Sequence, residues 1–184
     1  LYQRELLVSA GGNVSIRFDD GILITPSGRN KGSLLPEDMI KMSMNGKVIG
    51  KGKPSIEYKF HLGLYNARSE INAVVHCHPI YCTAIAVKGE KIRADLTPEG
   101  VMLLGDVPTV PYRTPGSDEL AEEVLKISKH SAAIMESHGA IVQGRTMEEA
   151  CNRMEELEFQ AHLQLVVGNA AGLPRDEVYR LRRM

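Results

Sequence analysis

The chain contains no tryptophan, only three phenylalanines and three cysteines, and no excess of charge of either sign. Each shortage excludes something. With three Phe and six Tyr there is no aromatic platform of the kind that stacks nucleic acid bases. The 22 Lys and Arg against 23 Asp and Glu leave a formal charge of -1, so no general field draws the chain to DNA, RNA or an anionic membrane. Cys77, Cys82 and Cys151 are odd in number and form no CxxC pair, which points to reduced thiols in an intracellular, cytoplasmic setting. Uncharged apolar runs all fall well short of the ~20 residues that cross a bilayer, and no signal peptide is read. The start at Leu1 rather than Met leaves room for a short upstream piece. What remains is 184 residues of ordinary globular composition, 43% hydrophobic and 24% charged, read as one domain over residues 1–184.

Periodicity predicts a sheet carrying several helices. Residues 1–10 read as the end of a helix stopped by Gly11-Gly12, and residues 14–18 and 22–25 as a hairpin turning at Asp19-Asp20-Gly21. A short helix is expected over 34–40, a turn at Asn45-Gly46 and a loop over 50–54. A helix over 55–69 would bury Ile56, Phe60, Leu64 and Ala67 as one stripe. Residues 71–77 read as a strand, followed by a helix with Pro79 in its first turn that ends near Gly89. Residues 101–104 and 107–110 read as strands joined at Gly105-Asp106, and 117–129 as a helix. Short strands over 132–136 and 140–142 flank Ser137-His138-Gly139. A final long helix opens on a Thr146–Glu149 capping box and runs to about Val167. The hairpin signals argue against a purely parallel, doubly wound sheet.

His76-Cys77-His78 is the sharpest local signal. On a strand the two histidines share a face and Cys77 leaves from the other, so the imidazoles can meet one divalent ion while the thiol packs as buried filler. Ordinary surface or packing histidines are the competing reading. His138 lies between an apolar strand and Gly139, where backbone often comes close to something, or where a turn histidine simply bonds to backbone. Glu57 opens the helix before the His76 strand, as dipole support or as an oxygen ligand. His61, four residues on, either faces the same way or only braces the helix. Gly11-Gly12-Asn13-Val14-Ser15, Thr25-Pro26-Ser27-Gly28 and Pro54-Ser55 offer turn amides and hydroxyls that suit a phosphate, although ordinary turn chemistry explains each singly. None forms a GxxxxGK[ST] loop.

Gly12-Asn13-Val14-Ser15, Thr25-Pro26-Ser27-Gly28, Pro54-Ser55-Ile56-Glu57, His76-Cys77-His78-Pro79, Pro111-Tyr112 and His138-Gly139 follow one another in the order seen in the class II aldolase/adducin family. The chain resembles that family from Gly11 to about Gly168, and most closely its L-fuculose-phosphate aldolases. The resemblance implies a three-layer α/β/α sandwich with a largely antiparallel central sheet, assembled as a homotetramer with active sites at subunit interfaces. It implies that His76, His78 and His138 bind zinc, with Glu57 as fourth ligand and base. Asn13, Ser27, Gly28 and Ser55 fall where the family holds the substrate phosphate, and Tyr112 matches a proton donor that reaches into a neighbour's site. Two departures stand out. Ile56 replaces a second serine before the glutamate, and the C-terminus is short, with Tyr179 and Arg182 as stand-ins for the residues that close over the sugar.

The activity so implied is reversible, metal-dependent cleavage of a sugar phosphate such as L-fuculose 1-phosphate to dihydroxyacetone phosphate and L-lactaldehyde. In the synthetic direction Glu57 would leave the resting metal, take a proton from the carbon beside the carbonyl, and Tyr112 would protonate the aldehyde oxygen. No Schiff-base lysine is needed. Imidazole and carboxylate accept Zn2+, Mn2+ or Co2+ alike. The rivals are a sugar-phosphate 4-epimerase, a methylthioribulose-1-phosphate dehydratase, a decarboxylase and, in another class, a non-enzymatic adducin-like scaffold.

Overall fold

The computed structural model describes all 184 residues. Eight strands form one mixed sheet in the order β4-β3-β2-β1-β5-β8-β7-β6. They are β1 (Asn13–Phe18), β2 (Gly21–Ile24), β3 (Ile40–Ser43), β4 (Val48–Ile49), β5 (Ala73–Cys77), β6 (Thr109–Val110), β7 (Ala132–Met135) and β8 (Gly139–Gly144). β6 runs parallel to β7, and every other neighbouring pair is antiparallel. Six helices accompany the sheet: α1 (Tyr58–Ala67), α2 (Ile80–Lys88), α3 (Pro98–Leu104), α4 (Asp118–Lys126), α5 (Met147–Val167) and α6 (Arg175–Leu181).

Successive strand residues feed two separate cores, as the period of two requires. Ala73, Val75, Cys77, Ala132, Ile134, Ala140 and Val142 join side chains of α2 and α5. Val74, Ala133, Met135 and Ile141 join Phe60, Leu62, Leu64 and Tyr65 of α1 and Leu120, Ala121 and Val124 of α4. Met154 and Leu157 of α5 are wholly buried, and each such side chain contributes about 1.5–3 kcal/mol by leaving water.

Caps explain where the helices start. Thr146 Oγ1 accepts the Glu149 N–H at 3.0 Å, and Ser117 Oγ accepts that of Leu120 at 3.1 Å. The reciprocal half of the expected box is absent, because the Glu149 carboxylate takes the Arg145 N–H at 2.6 Å instead. α4 stops at Lys126, leaving Lys129 outside it.

Four expectations fail for local reasons. The first ten residues form only a 3-10 turn over Tyr2–Arg4. Leu6 and Leu7 are the only buried residues among the first ten, too few to hold a short helix against the cost of nucleating it. Residues 34–40 hold a 3-10 turn at Pro36–Asp38 before β3 takes over. Residues 101–104 are the end of α3, not a strand. Thr97 Oγ1 caps the Gly100 N–H and Pro98 occupies the first turn, while Val101 and Leu104 are buried and Met102 and Leu103 exposed. The expected stripe holds only at Phe60 and Leu64, which α1 buries along with His61, Leu62 and Tyr65, whereas Ala67 and Ile56, ahead of the helix, are exposed.

Candidate metal centre

β5 delivers His76 and His78 to the end of the sheet, and the turn between β7 and β8 delivers His138. Cys77 points into the opposite, apolar core, as alternation demands. The imidazole ring centres lie 4.7 Å apart for His76 and His138, 4.8 Å for His76 and His78, and 5.1 Å for His78 and His138. One ring nitrogen from each of the three falls within 4.8 Å of the others, the arrangement a metal ion needs.

Close backbone packing makes this convergence possible. A side chain on Gly139 would meet the Cys77 carbonyl oxygen at 2.4 Å and His78 Cδ2 at 2.8 Å. Gly12, at φ 70°, would crowd Leu7 and the His76 carbonyl in the same way. Ser137, just before His138, holds a left-handed φ of 51° without being glycine, a strained conformation of the kind found at sites.

Glu57 completes the group from the N-cap position of α1. Its Oε2 lies 3.3 Å from His76 Nε2 and its Oε1 3.5 Å from His138 Nε2. His76 Nδ1 is 2.9 Å from the Ala140 carbonyl. A carbonyl only accepts, so that nitrogen carries the hydrogen and Nε2 turns its lone pair to the site. Burial, and then the neighbouring His78, push His76 down to about 3. Burial followed by His76 brings His138 down to about 4, and burial lowers His78 as well. All three imidazoles are therefore neutral near pH 7 and able to ligate. Glu57 Oε1 and His138 Nδ1 are buried with no hydrogen-bond partner. Such orphans are costly, and a cation beside Glu57 would satisfy the carboxylate oxygen. The residues present thus fit a divalent metal.

The other expected site residues are distributed as follows. The Ser27 N–H donates to the Lys53 carbonyl at 2.9 Å and the Ser55 N–H to that of Thr25 at 3.0 Å, which ties the two turns side by side. Gly28 faces open space. Ser55 Oγ accepts the Glu57 N–H at 3.3 Å. The Asn13 carboxamide is turned inward, with Nδ2 donating to Glu57 Oε2 at 2.7 Å and Oδ1 meeting His61 Nε2. Tyr112 is not brought to the group. Its ring is 51% exposed and its N–H donates to Glu136 at 3.0 Å. Tyr179 is exposed on α6, and Arg182 pairs with Asp106.

Tyr65, which sequence reasoning missed, belongs with this group, and so does Ser15, which that reasoning places only among the hydroxyls that suit a phosphate. Ser15 Oγ lies 2.7 Å from His61 Nδ1 and 2.8 Å from Tyr65 Oη. The signal was available: Asn13 and Ser15 sit two apart on a strand, and His61 and Tyr65 four apart on a helix.

The family model described as Class II Aldolase and Adducin N-terminal domain matches residues 1–165. An L-fuculose phosphate aldolase of Methanococcus maripaludis (strain S2) is 41% identical over 169 residues, 92% of each chain. A 3-oxo-tetronate 4-phosphate decarboxylase of Pectobacterium atrosepticum is 37% identical over 91% of this chain and 80% of its own. Among solved structures, YgbL of Escherichia coli, a candidate aldolase/epimerase/decarboxylase, superposes with a TM-score of 0.93 at 34% identity, covering 98% of this chain and 91% of that one. An L-fuculose 1-phosphate aldolase superposes at 0.91 with 30% identity over 100% of this chain and 89% of its own. With the family model matching 165 of the 184 residues, and a relative 41% identical over 92% of the chain, the chain belongs to the class II aldolase and adducin family.

Proposed function

We propose that this chain is a Zn2+-dependent aldolase that cleaves a sugar phosphate, L-fuculose 1-phosphate being the substrate to try first, to dihydroxyacetone phosphate and L-lactaldehyde. The observation that carries this reading is the convergence of three neutral imidazoles beside a carboxylate with one unpartnered oxygen. His76, His78, His138 and Glu57 would hold the ion, and Mn2+ or Co2+ would suit the same donors. When bound, it supplies a Lewis acid for the oxygen at which charge develops during carbon–carbon cleavage.

The protein's own groups do the rest. Glu57, whose Oε1 has no other partner, takes the proton from the carbon beside the carbonyl in the synthetic direction. The paired turns at Ser27-Gly28 and Ser55 bind the phosphate through amides and hydroxyls. The exposed side chain of Ile56 replaces a hydroxyl there, which weakens the phosphate's hold. Asn13 contributes by holding Glu57 rather than by a free carboxamide. Tyr112, exposed at the surface, serves the site of a neighbouring subunit as proton donor, and the resemblance to the family sets the working form as a homotetramer. Residues 1–184 act as one cytoplasmic catalytic domain.

The decarboxylase relatives at 37% identity favour a second reading, loss of carbon dioxide from a 3-oxo acid phosphate, since the same charge develops. Purified, metal-replete protein should form a sugar phosphate from dihydroxyacetone phosphate and L-lactaldehyde, and chelation should abolish the reaction. Turnover of 3-oxo-tetronate 4-phosphate, ribulose 5-phosphate or methylthioribulose 1-phosphate, with no aldol product, would replace the aldolase reading. A protein that takes up no divalent ion would revive the scaffold.

A further inference from the structure

Behind Glu57 a line of polar side chains runs into the apolar layer between the sheet and α1. Asn13 and Ser15 come from one face of β1, and His61 and Tyr65 from one face of α1. All four are buried, His61 and Ser15 completely. Such a line amid Phe60, Leu64 and Val74 is stable only if each member is satisfied, and no polar atom of the four is left without a partner.

The hydrogen directions follow from one end. A carboxylate only accepts, so the Asn13 carboxamide must present its NH2 to Glu57 and its carbonyl oxygen to His61. His61 must then carry its hydrogen on Nε2, which leaves Nδ1 to accept from Ser15 Oγ. Ser15 Oγ lies within reach of Tyr65 Oη, whose hydroxyl also donates to the Ser15 carbonyl at 2.9 Å. Arg17, third on the same face of β1, lies with its guanidinium 5.0 Å from the Tyr65 ring centre and donates to the Tyr65 carbonyl at 2.8 Å, anchoring the far end. From Ser15 Oγ through His61 Nε2 to Asn13 Nδ2, each donor points toward the carboxylate. A flipped Asn13 would set carbonyl oxygen against carboxylate oxygen. Burial holds His61 well below the usual imidazole range, in keeping with a single ring hydrogen.

We propose that His61, backed by Ser15 and Tyr65, is a positioning residue: its Nε2–H tautomer fixes the Asn13 carboxamide, which pins Glu57 by Oε2 and keeps Oε1 turned into the site. This rests on the aldolase reading for its kinetic consequence and on the structure alone for its tautomer.

The test uses the full-length chain. Nitrogen-15 NMR of the metal-free protein should find the His61 hydrogen on Nε2, and the Asn13 NH2 signal, assigned by its loss in Asn13→Asp, should be slow to exchange. In His61→Leu that signal should lose its protection, and kcat of the metal-loaded enzyme should fall about 10- to 100-fold with KM nearly unchanged. His61→Gln, able to donate to Asn13 and accept from Ser15, should restore most of both. A hydrogen found on Nδ1, or a His61→Leu protein with wild-type Asn13 signal and kcat, overturns the proposal. Should His61→Leu fail to fold, the wild-type tautomer and His61→Gln decide it. A wild-type protein without aldol turnover overturns the aldolase reading alone, and the two NMR signals still decide the relay.

Discussion

The two faces of β5 and its neighbours are built to opposite specifications. Toward α2 and α5 the sheet presents Ala73, Val75, Cys77, Ala140 and Val142, all apolar or nearly so. Toward α1, near the chain's histidines, it presents Asn13, Ser15 and His76 within a few residues of one another, buried just as deeply. The first face needs only volume and hydrophobicity, and tolerates many solutions. The second has a directed requirement at each atom, and the orphans beside it are Glu57 Oε1 and His138 Nδ1. Both faces carry a core, but the directed polar requirements are concentrated on the α1 side, so chemistry there and packing beneath α5 should be separable by mutation.

The sharpest test of that separation is Glu57→Gln. It keeps the shape and the Asn13 contact, and steady-state kinetics should show kcat lowered by about 10²–10⁴ with little change in melting temperature. Full retained activity would remove Glu57 from the chemistry. Leu157→Ala, on the other side, should do the reverse, with urea unfolding showing a loss of about 2–5 kcal/mol and divalent metal uptake unchanged.

Acid should distinguish the faces too. The folded pKa of His61 lies below its unfolded value near 6.5, so between the two the unfolded chain binds the extra proton. Stability is complete above about pH 6.5 and falls as pH is lowered, each such histidine adding up to about 1.4 kcal/mol per pH unit. Urea midpoints of the metal-free protein from pH 7.5 to 5.5 should show the decline, and His61→Gln should make it shallower. Smallest in effect is Thr146→Ala at the start of α5, expected to cost about 0.5–2 kcal/mol in thermal unfolding and nothing in metal affinity.

The three candidate histidines were legible because their signal is local, while the resemblance to a family joined them with Glu57 into one site. Two histidines two apart on a strand, and one before a glycine, need no knowledge of the rest of the chain. The hairpin, α2, α4 and α5 were equally visible through their turns and caps. α3 was misread because Val101 to Leu104 is a short apolar run that periodicity alone cannot assign, although Thr97-Pro98 carried the start signal. The partners of Asn13 were hidden for another reason. Its contacts with Glu57 and His61 span 44 and 48 residues, and the pairing of two polar faces is visible only once β1 lies over α1. Tyr112 stays outside the group, exposed just beyond β6.

The alternation of β5 carries one more consequence. Inserting or deleting a single residue between Ala73 and His76 would exchange the strand's two sides, sending a sulfur toward the candidate metal site and two imidazoles into hydrocarbon. Both results are ruinous, one for reactivity and the other for folding, so this short segment is locked in register from both directions. Length changes that the chain's loops absorb freely should be lethal there.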